Sequence, residues 1–132
     1  MNGERSYLLD TNAVVSLLRG DNAILHLTRE AAYLAISVIT HIEFLAFPHI
    51  AKEDVGLFHA FLERVDVINI THQDARLITT AIDLRRTYSL KLPDALIVAS
   101  VLCKDAILVT ADRKLLSLAG RVTGLRVHPL TA

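Results

Sequence analysis

Five short apolar runs punctuate the chain: Tyr7 to Leu9, Tyr33 to Ile36, Val65 to Ile70, Ala106 to Val109 and Leu125 to Val127. Each is too short to be a helix, and each is separated from the next by a stretch of helical period. Strands rich in Val, Ile and Leu that alternate with helices must be covered on both faces. The pattern therefore implies an α/β fold with a parallel sheet and right-handed crossovers. Helix signals fill the intervals. Asn12 can cap a helix running to about Leu18, Asp21 opens a short one, and Ser37 caps one that reaches Phe47 and is stopped by Pro48. Lys52 to Arg64 is a further helix, and Thr71 starts a long one towards Tyr88. Pro93, at a first helical position, opens one through Cys103, and Asp112 or Arg113 opens a short one closed by Gly120. With three Pro, five Gly, no repeat and no low-complexity tract, nothing marks a boundary, and residues 1–132 read as a single domain.

Composition narrows the class. Hydrophobic residues make up 52% of the chain, ample for a core, and 5% aromatic content with no Trp makes that core mainly aliphatic. The longest charge-free apolar run, Ala95 to Cys103, falls far short of the ~20 residues a membrane helix needs. Asp10 stands where a signal peptide would be apolar, so the expectation is a cytosolic protein with no membrane contact. Cys103 cannot form an internal disulfide and is expected to be a buried packing residue. The 14 Lys and Arg balance the 14 Asp and Glu. A net charge of zero excludes holding a polyanion by bulk attraction, so any such partner must meet a local patch or a metal ion.

In open parallel sheets, ligands bind beyond the carboxyl ends of the strands, where the strand order reverses. Four acids belong to that edge. Asp10 directly follows the first apolar run in Leu8-Leu9-Asp10-Thr11-Asn12. Glu43 lies a turn and a half into the helix opened by Ser37, which begins where the preceding strand ends. Asp94 follows Pro93 in the first turn of a helix that runs back to feed the fourth strand. Asp112 comes two residues after that strand, in Leu108-Val109-Thr110-Ala111-Asp112. Taken singly, Asp94 is a helix N-terminal acid and Asp112 an ordinary cap. Taken together, carboxylates crowded at a partly buried site repel one another and would have to protonate, unless a cation compensates them. Oxygen-only ligands select hard cations, Mg²⁺ or Mn²⁺, and these ions serve phosphate chemistry, singly or as a pair. Thr11, Asn12, Thr40 and Thr110 are either local caps and turn formers or groups that orient the acids and the waters of an ion.

Other constellations point elsewhere. The six His residues include no pair three or four apart and no Cys at ligand spacing, so zinc is disfavoured. His41 is two residues from Glu43 and would leave the helix on the opposite side, as a surface or packing residue. All four Phe (Phe44, Phe47, Phe58 and Phe61) fall in one stretch. There, Phe58, Phe61 and Leu62 form a helical stripe, by default a core face and otherwise a groove for a partner. Arg85, Arg86, Lys91, Arg113 and Lys114 flank the segments carrying Asp94 and Asp112. Such charges are usually solvated, but Lys91, Arg113 and Lys114 are close enough in sequence to the acids to be candidate phosphate contacts. A dehalogenase-like phosphatase would carry Asp-x-Asp after the first strand, where this chain has Asn12, and a receiver domain has no use for Glu43.

The chain resembles the PIN-domain nucleases, and within them the VapC-type toxins of toxin-antitoxin pairs. The resemblance spans nearly the whole chain and rests on four strings in order: Leu8-Leu9-Asp10-Thr11-Asn12, Ser37-Val38-Ile39-Thr40 leading to Glu43, Leu90-Lys91-Leu92-Pro93-Asp94-Ala95-Leu96-Ile97, and Leu108-Val109-Thr110-Ala111-Asp112. It implies a three-layer α/β/α sandwich with a five-stranded parallel sheet. It also implies a Mg²⁺- or Mn²⁺-dependent ribonuclease acting on single-stranded or loop RNA, a cognate antitoxin, and a homodimer. The acidic quartet it implies is Asp10, Glu43, Asp94 and Asp112, the four reached from the strand edges. This chain departs from many relatives in lacking a further late acid, since Leu115 and Leu116 follow Asp112, which leaves Asp112 to act directly or through water. The same fold would also suit a nuclease of RNA processing or repair, or a non-catalytic interaction module. Setting the quartet aside leaves 10 acidic residues against 14 basic ones, so neutrality is a sum over an acidic site and a mildly basic remainder.

Overall fold

The computed structural model describes residues 5–130. Strands β1 (Ser6–Leu9), β2 (Tyr33–Ser37), β3 (Asp66–Ile68), β4 (Ile107–Thr110) and β5 (Arg126–Pro129) form one five-stranded sheet in the order β3-β2-β1-β4-β5. Every neighbouring pair is parallel. Helices α1 (Thr11–Leu18), α2 (Asn22–Arg29), α3 (Val38–Leu45), α4 (Lys52–Leu62), α5 (Ala75–Tyr88), α6 (Leu92–Lys104) and α7 (Arg113–Leu116) make the connections.

The period of two along the strands builds the layers. Leu8 is in register with Ala35 and Leu108, and Leu9 with Ile36 and Val109. The first trio faces a cluster that includes Leu77, Ala81 and Leu84 of α5, Val98 and Val101 of α6 and Leu115 of α7. The second faces Ala13 and Val14 of α1, Ile24 and Leu27 of α2, and Phe58 and Phe61 of α4. Because successive side chains of a strand point to opposite faces, two adjacent apolar residues per strand require helices on both sides. This is the expected α/β/α sandwich.

Several boundaries differ from the sequence reading. The cap of α1 is Asp10, whose Oδ1 accepts the Ala13 N–H at 2.9 Å, and Asn12 already lies inside the helix with its side chain exposed. Helix α5 starts at Ala75 and not Thr71, because the Asp74 carboxylate turns back to accept the Thr71 N–H at 3.2 Å and closes a turn ahead of the helix. Helix α3 ends at Leu45, short of Phe47, since the residue before a proline is disfavoured in helical backbone. Helix α6 begins one residue earlier than expected, at Leu92, and α7 ends at Leu116, with Gly120 at φ 85° in the turns beyond. Strand β3 is confined to Asp66–Ile68, and β5 shifts to Arg126–Pro129, where its edge position tolerates a proline. Cys103 is only partly buried, packed against the α5–α6 cluster. His41 packs edge-on to the Phe58 ring, with centroids 5.4 Å apart. Among the described residues, no helix is long and apolar enough to cross a membrane.

Candidate active site

Strand order reverses between β1 and β4, and the site is built on that seam. The Asp10 N–H donates to the Val109 carbonyl at 3.2 Å, extending the β1–β4 ladder by one residue and holding the Asp10 side chain at the carboxyl end of both strands. Asp10 is only 5% exposed. Its Oδ1 caps α1, and its Oδ2 accepts the hydroxyl hydrogen of Thr110, the last residue of β4. Thr110 Oγ1 in turn accepts the Asp112 N–H at 3.0 Å. Asp112 Oδ1 accepts the backbone N–H groups of Lys114 (2.8 Å) and Leu115 (3.2 Å), capping α7 with one of its two carboxylate oxygens.

Glu43 comes from α3, which Ser37 starts by accepting the Ile39 N–H at 3.0 Å. Glu43 Oε1 accepts the Thr11 hydroxyl at 2.6 Å, and Thr11 Oγ1 lies 3.4 Å from the fully buried Thr40 hydroxyl. Asp94 sits in the first turn of α6, behind Pro93, at the end of the helix nearest the seam. The four acids line one cleft of about 250 Å³ together with Thr11, Asn12, Phe47, Ile97 and Leu115. The quartet expected from the sequence is thus brought together by four separate segments. Of the expected orienting groups, Thr110 and Thr11 bond an acid, Thr40 touches Thr11, and Asn12 is an exposed lining residue.

Electrostatics follow from this crowding. Burial pushes the Asp10 carboxyl above the ordinary aspartate value; the bonds from Thr110 and Ala13 pull it back, and the charges of Asp112 and Asp94 push it further up. Burial likewise raises Asp94, the charges of Asp112 and Glu43 add to the shift, and Lys114 and Lys91 oppose it. The ion pairs among the described residues, Arg5 with Glu30 and Arg126 with Asp105, include none of the four. Among the described residues, no three His, Cys, Asp or Glu side chains close around a common point as they stand. The donor set, four carboxylates with no side-chain ion pair among the described residues, is all oxygen and fits a hard divalent cation.

The basic residues separate. Lys91, at the N-cap position of α6, and Lys114 both act on Asp94 through their charge. Lys114 Nζ also donates to the Ser89 carbonyl at 3.1 Å, tying α7 to the α5–α6 turn. Arg113 is exposed at the start of α7 and does not line the cleft, and Arg85 and Arg86 are exposed in the last turn of α5. The sequence reading did not place Phe47 at the site; its one local signal is the following proline, which takes it out of the helix that Phe44 belongs to.

A family profile for the PIN domain matches residues 7–121. The chain belongs to the PIN domain family. Among solved structures, this PIN domain is similar to a toxin-antitoxin complex from Klebsiella pneumoniae at 28% identity and a TM-score of 0.73, covering 95% of this chain and 100% of that one. It also shares the fold of VapBC2 from Rickettsia felis bound to a DNA fragment from their promoter, at 20% identity and a TM-score of 0.76 over 95% and 98% of the two chains. The VapBC-5 toxin-antitoxin structure from Mycobacterium tuberculosis matches at 15% identity and a TM-score of 0.67 over 96% and 99%. Comparison with curated protein sequences finds no match. In this PIN domain the acidic cleft lies within the matched span, since Asp10, Glu43, Asp94 and Asp112 all fall between residues 7 and 121.

Proposed function

We propose that this PIN domain is a divalent-metal-dependent endoribonuclease and the toxin of a toxin-antitoxin pair, with residues 1–132 acting as one domain. The observation that carries the reading is the convergence of Asp10, Glu43, Asp94 and Asp112 on one cleft at the sheet's switch point, with none of the four in an ion pair among the described residues. The four acids would hold Mg²⁺ or Mn²⁺, one ion or two, and the bound metal would supply the positive charge for activating a water and stabilising the leaving oxygen of a phosphodiester.

The chain's own residues divide the work. Asp10, the most buried acid, is the central ligand, held in place through Thr110 and the Ala13 N–H. Asp94 is the second ligand. Glu43, oriented by Thr11, and Asp112, through its uncapped oxygen, complete the set directly or through water. Lys91, Arg113 and Lys114 are the candidates for holding RNA phosphates, and Lys91 and Lys114 act on Asp94 through their charge. The toxin assignment, and with it an antitoxin partner, draws on the similarity to toxin-antitoxin complexes; the homodimer is proposed from the family resemblance, and the cytoplasmic location from Asp10 standing where a signal peptide would be apolar.

Asp10→Asn tests the activity cleanly, because asparagine still caps α1 and the variant should fold. Cleavage of single-stranded RNA in Mg²⁺ or Mn²⁺ should be abolished in the variant, and EDTA should silence the wild type. A folded variant with undiminished cleavage overturns the assignment. For the toxin role, induced expression of the wild type should arrest growth, Asp10→Asn should not, and the product of a neighbouring small open reading frame should relieve the arrest.

A further inference from the structure

Phe47 is an anomaly of this fold. Three of the four Phe side chains are buried, whereas Phe47 is 46% exposed although it lines the acidic cleft. It also lines an adjoining groove of about 570 Å³, with Val15, Leu18, Arg19, Phe44 and His49, and only Phe47 and Asn12 are common to both cavities. The ring is braced from beneath. It meets Phe44 edge-on at 6.2 Å and 73°, and Phe44 stacks on the fully buried Phe58 at 4.4 Å and 11°. Pro48 restricts its backbone, and His49 turns the chain away at φ 60°.

We propose that Phe47 is the stacking platform for a nucleobase next to the phosphate engaged by the four acids, so that it helps choose which phosphodiester enters the cleft. The inference rests on the ribonuclease reading above. A polymer whose phosphate lies at the acids must carry its neighbouring nucleoside past the rim residues, and Phe47 is the aromatic one. Single-stranded RNA is held by stacking splayed bases on aromatic rings, a contact open to every base because each has a π face. An apolar groove floor would also suit a peptide, and the charges lining it, exposed Arg19 and exposed Asp54, favour neither occupant; what favours RNA is that the groove opens into the acidic cleft at Phe47 and Asn12.

The test compares full-length wild type with Phe47→Ala, Phe47→Leu and Phe47→Trp on single-stranded oligoribonucleotides, with circular dichroism confirming the fold of each. Phe47→Ala should raise KM about tenfold with a smaller change in kcat. Phe47→Leu, which keeps bulk without a π face, should behave like Phe47→Ala, and Phe47→Trp should keep the wild-type KM. Replacing the stacked nucleotide by an abasic one should cost the wild type the same factor and Phe47→Ala nothing further. In the Asp10→Asn background, 2-aminopurine at that position should be quenched on binding, and the quench should disappear when Phe47→Ala is added. If wild type cleaves RNA but Phe47→Ala leaves KM, the abasic penalty and the quench unchanged, the platform is overturned and the groove is left to a protein segment. If wild type cuts no RNA in Mg²⁺ or Mn²⁺, the ribonuclease reading itself fails and the inference falls with it.

Discussion

Thr110 donates its hydroxyl hydrogen to Asp10 across one hundred residues of sequence, while its oxygen accepts the backbone N–H of Asp112. One side chain therefore locks two acids of the cleft to the end of β4. Thr110→Val keeps the shape and removes both bonds, leaving a buried carboxylate oxygen and an N–H short of partners. The expected loss is about 1–3 kcal/mol in urea denaturation. Because the Thr110 bond is one of the effects that pull the Asp10 pKa down, the variant should also bind Mn²⁺ more weakly at a given pH. Thr110→Ser should recover most of both losses. A valine variant equal to wild type in stability and Mn²⁺ affinity contradicts the role.

Asp10 and Asp94 hold their protons more tightly in the folded protein than at the ordinary value of 3.8. Each therefore favours the metal-free fold most below that value and loses this contribution as pH rises through the raised one. Metal-free Asp94→Asn should melt above wild type at pH 8, and the gap should close on acidification. Mn²⁺ should reverse the order at pH 8, because the ion needs the ionised acid, and its stabilising effect should fade as pH falls. A melting difference that does not change with pH counts against the shifts.

Lys91 and Lys114 both oppose the shift of Asp94, but only Lys114 has its Nζ placed on a carbonyl, that of Ser89. Ser89 ends α5 in left-handed backbone at φ 56°, immediately before the turn leading to Asp94. Lys91→Ala should lower the slope of log K for RNA against log salt by about 0.7, the loss of one single-strand phosphate contact. Lys114→Met should lower Mn²⁺ affinity as well, by loosening the tie between α7 and the turn. Equal effects of the two variants on both measurements would remove the distinction.

Phe58 and Phe47 belong to one aromatic chain, but Phe58 is fully buried at its centre, in contact with Phe44, Phe61 and His41, whereas Phe47 stands at its outer end and is 46% exposed. Phe58→Ala should cost about 3–5 kcal/mol, because a large cavity opens beneath α3 and α4. Phe47→Ala should cost about 1 kcal/mol or less, as an exposed site does. Denaturant midpoints measure both, and similar costs would show that the ring at the cleft is part of the core.

The amino-acid sequence by itself determined the alternation of strands and helices, the parallel sheet covered on both faces, and the placing of Asp10, Glu43, Asp94 and Asp112 at one edge. These are local facts: a period of two or of 3.6, and an acid set a fixed number of residues beyond an apolar run. Only the tertiary structure decided that Asp10 and not Asn12 caps α1, that Asp74 spends its carboxylate on Thr71, that Lys114 reaches Ser89, that Thr110 bonds Asp10, and that Phe47 alone among the Phe residues stays at the surface. Each depends on which groups become neighbours once β1, β4 and the helices pack. Periodicity records which side of an element is apolar, but a hydrogen-bond partner or the exposure of one ring is set by distance in space, which residue spacing does not carry.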